Sequence, residues 1–398
     1  MQESLQDRSG NSSAIGLVAI KGICEPAFAR VREAFAANFD PSLATPEVGA
    51  SFTLMRGEDV VVDLWGGYSD SARTRPWTAD TIVNTYSTTK GIAAACLAVA
   101  ESRGLIEYGA PVARYWPEFG ANGKSLVTVE TLLSHQAGLS GLREPLTIED
   151  LFDWDAMVAR LAAAEPLWEP GTKAGYHALT WGFLAGELIH RTDGRSLGRF
   201  LAEEVAGPLG AEFYIGVPEA VDPRVAEMIA PLGEPTQSLA EMSEVLKLTL
   251  LNPYVDPCVP NRRDFRAAEL PALNGTGNAN GIARIYAPFA NGGSFQGVQV
   301  LSRDAIQRAT RLRFQGTDIN TGVEARWSAG FFGNNAKQWY GPNPDAFGHS
   351  GWGGSMGYAD PVAGISLGYA PNQMDANLNG DPRGLRLVEA VYACLADS

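Results

Sequence analysis

The stretch Asn84-Thr85-Tyr86-Ser87-Thr88-Thr89-Lys90-Gly91-Ile92 places a serine and a lysine three positions apart, where a loop turns into a helix. From Ser87 to Arg103 the apolar residues Ile92, Cys96, Val99 and Ala100 keep helical spacing, and Gly104 stops the segment. Three residues are nearly one turn, so the hydroxyl and the amine share a face. The first turn also offers unpaired backbone N–H groups and the positive end of the helix dipole, which favour developing negative charge. A lysine kept neutral by burial can take the proton of such a serine. Serine is equally a common N-cap and lysine a common surface residue, so the pair gains meaning only from its company.

Upstream, Ser51–Met55 and Val60–Trp65 flank the turn Arg56-Gly57-Glu58-Asp59 and read as a hairpin. Before it, Phe28, Val31, Phe35 and Phe39 mark a helix within Pro26–Phe39. Downstream, helices are expected over 127–133, 148–164, 179–190 and 197–205. Residues 217–275 are broken by prolines, among them Pro231, Pro235, Pro257 and Pro260, and are expected to form an irregular wall or lid. Strand signals return at Val298–Leu301 and Gly364–Tyr369. Leu387, Val388, Val391, Tyr392 and Leu395 form one face of a closing helix. The expected organisation is an α/β lobe built from both chain ends, 1–115 and 276–398. Residues 116–275 would form a mostly helical lobe.

The 398 residues, 45% hydrophobic and 19% charged, have ordinary globular composition. A net charge of −14 argues against nucleic acid as a partner, because counterion release needs clustered Lys and Arg. No apolar run approaches the ~20 residues of a membrane span. Met1–Ser13 is polar, and Ile15–Ile20 is too short for the core of a signal peptide. Cys24, Cys96, Cys258 and Cys394 lie far apart, without ligand spacing, so no metal and no cofactor is expected. A cytoplasmic protein with free thiols is the reading.

Two further blocks give the Ser-Lys pair its company. Tyr176 stands in Gly175-Tyr176-His177-Ala178, after Glu169-Pro170-Gly171 and before a helix. Phe347-Gly348-His349-Ser350-Gly351-Trp352-Gly353-Gly354 is a glycine-rich strand, a pattern that permits close approach of backbone or substrate. A nucleophile, a proton relay and convergent N–H donors are what acyl transfer needs.

These blocks, with Leu132-Leu133-Ser134-His135-Gln136-Ala137-Gly138-Leu139 between them, occur in an order and at separations that resemble the class C β-lactamase and D-Ala-D-Ala carboxypeptidase superfamily. Trp352-Gly353-Gly354 points to its esterase branch, the family VIII carboxylesterases. The resemblance implies an α/β (α+β) fold, a β-lactamase-like antiparallel sheet flanked by helices beside a mostly helical lobe. It implies a serine carboxylesterase acting on small, short-chain esters. Ser87 would be nucleophile, Lys90 and Tyr176 the proton relay, and the backbone N–H groups of Ser87 and Trp352 the oxyanion donors. His349, Gly351 and Gly353 would line the substrate side, and the His135 block would be a structural loop. A β-lactamase, peptidase, amidase or acyltransferase on the same fold is the alternative.

Two departures favour esters. Tyr176-His177-Ala178 stands where the lactamase pattern has Tyr-Ser-Asn, and His349-Ser350-Gly351 where it has Lys-Thr-Gly. A rival motif, Gly353-Gly354-Ser355-Met356-Gly357, matches the nucleophile elbow of α/β-hydrolases. All four histidines precede Ser355, so the Ser-acid-His order of that fold cannot follow.

Overall fold

Strands β2 (Gly49–Arg56) and β3 (Asp59–Gly67) form the hairpin that the alternation announced, turning at Gly57 with φ +58°. In β2, Ala50, Phe52 and Leu54 enter one core while Met55 enters another, so both faces of the sheet are covered. The computed structural model describes residues 18–232, 242–377 and 380–397. The polar Met1–Ser13, the first half of Ile15–Ile20 and Pro235 lie outside the described residues.

Around the hairpin stand β1 (Lys21–Cys24), β4 (Phe314–Thr317), β5 (Glu324–Trp327), β6 (Phe332–Gly333), β7 (Phe347–Ser350), β8 (Met356–Asp360) and β9 (Ile365–Pro371). They form one sheet in the order β1-β3-β2-β9-β8-β7-β6-β5-β4, every neighbour antiparallel. On one face lie the helices Ala29–Ala37 and Pro382–Ala396, which bury Val31, Phe35, Leu387 and Val391 against Phe52, Leu64 and Leu367. On the other face lies the helix Ala279–Ala290, and two glycines explain its close approach. A Cβ on Gly368 would sit 2.1 Å from Ala279 O, and one on Gly357 would sit 2.3 Å from Ile282. An antiparallel sheet flanked by helices is thus the observed architecture.

Beyond that layer runs the helix Thr88–Ser102, buried on all sides from Thr88 to Ala100. Alanines and a glycine make this possible: a Cβ on Gly91 would fall 1.9 Å from the Tyr286 hydroxyl. The helix Thr180–Asp193 packs alongside it. Among the described residues no helix is long and apolar enough to cross a membrane.

Several expected elements are corrected. The helix expected over 148–164 is two pieces, Glu149–Phe152 and Trp154–Ala163, because the Asp153 carboxylate accepts from Ala156 N and starts a new helix. The segment 127–133 begins only at Val129 for the same reason, with Thr128 as cap. The segment 197–205 is α-helical only to Leu201 and continues as a wider π turn, Ala202–Ala206. Val298–Leu301 does not join the main sheet. It supplies only Val298–Gln299 to a small ladder with Ser294–Phe295, turned tightly at Gln296-Gly297.

Candidate active site

Within the run Thr81–Ala100 every residue is buried except Ser87, which is partly exposed. The backbone just before it is strained: Tyr86 has φ +43°, a left-handed conformation costly for a bulky side chain. Tertiary contacts hold it there. Its hydroxyl donates to Pro257 O at 2.7 Å, its amide donates to Asn84 Oδ1 at 3.0 Å, and its ring lies 5.2 Å from that of Trp352. The Ser87 side chain makes no capping hydrogen bond to the helix it precedes. The ordinary N-cap reading therefore fails.

Lys90 is completely buried, and its Nζ stands 3.1 Å from Ser87 Oγ. Two backbone carbonyls, Ala178 O at 2.8 Å and Ala272 O at 3.1 Å, are its other partners. The stereochemistry is informative. A neutral amine has two N–H groups, and the two carbonyls accept both, which leaves the lone pair directed at Ser87. Burial holds the lysine pKa well below its ordinary value, in the direction a general base needs.

Tyr176 is half-buried, with its ring 4.8 Å from Lys90 Nζ. Burial raises its phenol pKa, opposed in part by interaction with Ser87, so at neutral pH the tyrosine is a protonated donor. The ring stacks on Trp327 at 5.8 Å and 10°. The structure thus brings Ser87, Lys90 and Tyr176 together.

The glycine-rich block forms the opposite wall. His349 and Ser350 end β7, and Gly351–Ser355 turn back into β8, closed by Gly351 N donating to Ser355 O and Gly354 N to Gly351 O. Gly353 and Gly354 adopt φ +93° and +112°, and a Cβ on Gly354 would collide with the Asp381 carboxylate. Trp352 is half-buried. Among the described residues the amide N–H groups of Ser87 and Trp352 meet no acceptor, the condition required of oxyanion donors.

Ser355, the serine of the rival motif, is buried and fully engaged. Its hydroxyl donates to Thr85 O at 2.7 Å and lies 2.9 Å from Thr88 Oγ1. It clips the glycine turn to the loop that carries Ser87.

The three buried histidines, His135, His177 and His349, are neutral packing groups. His177 Nδ1–H donates to Gly175 O and its Nε2 accepts from Leu139 N, so the tautomer is fixed. Burial pushes its pKa down to about 3. His135 Nδ1 accepts from His177 N, and burial holds its pKa well below the ordinary value. His349 pairs Nδ1 with Ser350 O, and burial beside Lys90 pushes its pKa down to about 3. No His/Cys/carboxylate group among the described residues could hold a metal ion.

Sequence reasoning missed the two carbonyls on Lys90 and the turn Asp318–Asn320, which bonds both sides of the Tyr176 backbone. Backbone acceptors have no residue signature, and Asp318 lies 142 positions from Tyr176.

Comparison with known proteins adds to this geometry. The family model "Beta-lactamase" matches residues 35–391. The chain is 38% identical over 364 residues to the "Esterase/beta-lactamase LipL" of Mycobacterium tuberculosis, covering 89% of this chain and 83% of that protein. A crystal structure of a family VIII carboxylesterase superposes with a TM-score of 0.90 at 52% identity, over 94% of this chain and 100% of the other. A penicillin-binding protein homologue from Caulobacter crescentus gives the same TM-score at 41% identity, with the same coverage.

Proposed function

The chain belongs to the β-lactamase family, on its family VIII carboxylesterase branch, and from that premise we propose that it is a serine carboxylesterase for short-chain esters. One observation carries the reading: a partly exposed serine hydroxyl, uncommitted to capping, 3.1 Å from a fully buried lysine.

In the proposed reaction Ser87 Oγ attacks the ester carbonyl while its proton passes to Lys90. The carbonyl oxygen becomes an oxyanion between the N–H groups of Ser87 and Trp352. Collapse breaks the bond to the alcohol, which leaves with a proton delivered through Tyr176 from Lys90. The acyl-enzyme on Ser87 is then attacked by water activated by the same relay, releasing the carboxylic acid and restoring the hydroxyl. The buried carbonyls of Ala178 and Ala272 accept from Lys90 in either protonation state, so the lysine need not move as it gains and loses the proton.

Esters are favoured over lactams because two partners for a lactam are missing. Ala178 offers no side-chain amide, and its carbonyl is taken by Lys90. His349 is neutral at physiological pH and offers no charge to a carboxylate. Each missing partner costs about 1–3 kcal/mol, roughly tenfold to more than a hundredfold. A cytoplasmic location, read from the widely spaced cysteines, is part of the same proposal.

The test is a series of p-nitrophenyl esters of increasing acyl length beside nitrocefin. Short-chain esters should exceed nitrocefin in kcat/KM by at least about 10²-fold. Equal rates would replace the esterase reading with a lactamase one, which the double name of the Mycobacterium tuberculosis relative keeps specific.

A further inference from the structure

Asp318 is a fully buried carboxylate that forms no ion pair among the described residues. Burying an uncompensated charge is expensive, so its surroundings must supply donors. Four N–H groups do so. Its Oδ1 accepts from the backbone amides of Tyr176, Asn320 and Thr321, each at 3.0 Å, and its Oδ2 accepts from the Trp327 indole at 3.3 Å. Two of these four donors bear on one residue: Tyr176 itself, and the indole on which the Tyr176 ring stacks.

The same turn holds Tyr176 from its other side. Asn320 Nδ2 donates to Tyr176 O at 3.0 Å, and Ile319 N donates to Ala174 O at 3.0 Å. Asn320 is itself buried, and its amide also reaches Thr249 Oγ1 at 3.3 Å. Both the N–H and the C=O of Tyr176 are therefore committed to side chains of one turn, which joins β4 to β5 at the edge of the sheet.

We propose that the turn Asp318–Asn320 is the mount of the relay tyrosine, with Asp318 and Asn320 as positioning residues that set the reach of the Tyr176 hydroxyl to Ser87. This rests on the relay reading of Tyr176. Neither side chain touches the reacting atoms. Their work is to fix a phenol whose own loop, Gly171–Tyr176, has no regular structure to hold it. The negative charge beside Tyr176 also disfavours a phenolate, which keeps the tyrosine a proton carrier and leaves the role of base to Lys90.

The experiment compares wild type, Asp318→Asn, Tyr176→Phe and the double variant in ester hydrolysis. Asp318→Asn keeps an oxygen for the three amides but turns an N–H toward the indole N–H. It should lower kcat about tenfold or more with KM changed less than about threefold, because a displacement near 1 Å at a relay group is costly. In the Tyr176→Phe background the same substitution should change kcat by less than about twofold, since the group it acts through is gone. Asn320→Ala should repeat both results, and it decides the matter if Asp318→Asn fails to fold. Multiplicative losses in the double variant, a loss confined to KM, or a wild-type kcat in the single variants would overturn the inference. A near-normal kcat for Tyr176→Phe alone would instead overturn the relay reading, and the mount with it.

Discussion

The two walls of the site each carry a serine within a hydrolase-like motif, and their surroundings differ in every respect that matters to reactivity. Ser87 is partly exposed, follows a strained residue, caps nothing and faces a buried amine. Ser355 is buried, donates to Thr85 O and contacts Thr88 Oγ1, and among the described residues its hydroxyl bonds to no amine, imidazole or carboxylate. Motif spacing can nominate both. The proposed nucleophile is the serine whose hydroxyl has no other structural task, while the serine with two buried partners is a clip. The difference also shows how the walls depend on each other, because Ser355 fastens the glycine turn to the loop that presents Ser87.

The sharpest way to break this comparison is to delete each hydroxyl in turn. Ser87→Ala should abolish ester turnover, by about 10⁴-fold or more. Ser355→Ala should retain substantial activity, and a fluorophosphonate should add its mass to the Ser87 peptide alone. Label on Ser355 would reverse the assignment.

Next in size are the partners of Ser87. Lys90→Ala and Tyr176→Phe should each lower kcat by about 10²-fold or more, with smaller changes in KM, because proton transfer belongs to the transition state. Steady-state kinetics on p-nitrophenyl butyrate decides this, and a Tyr176→Phe enzyme with normal kcat would return the tyrosine to packing.

A third test uses pH. In the proposed mechanism Lys90 acts when deprotonated, so kcat should rise with pH through the lowered lysine pKa. His177 and His349, pushed down to about 3, are neutral throughout the working range and should contribute no limb there. His349→Gln should therefore leave the acid limb where it is. Disappearance of the limb would make the histidine the titrating base.

The smallest expected effect is the stability of the clip. Ser355→Ala leaves a buried carbonyl and a buried hydroxyl short of a partner, which costs about 1–3 kcal/mol. Denaturant unfolding should show a lower midpoint with an unchanged slope. An unchanged midpoint would mean that the turn holds without its clip.

What could be read before folding was what neighbours in the chain decide. The Ser87–Lys90 pair rests on a three-residue helical spacing, the hairpin on alternation around Gly57, and the closing helix on the stripe Leu387, Val388 and Val391. Local capping was harder to see. Asp153 and Thr128 each moved a helix boundary through one hydrogen bond to an amide three residues on, which periodicity does not register.

By itself the sequence determined the helix that pairs Ser87 with Lys90, the glycine block that permits a tight turn, and the ordered motifs that name the family. Only the tertiary structure decided which chemistry each residue can do. Ala178 and Ala272 reach Lys90 from 88 and 182 positions away, Asp318 reaches Tyr176 from 142, and Ser355 reaches Thr85 from 270. A pKa, a free lone pair or a spent hydroxyl depends on such distant neighbours, because desolvation and hydrogen-bond partners are set by packing and not by adjacency in the chain.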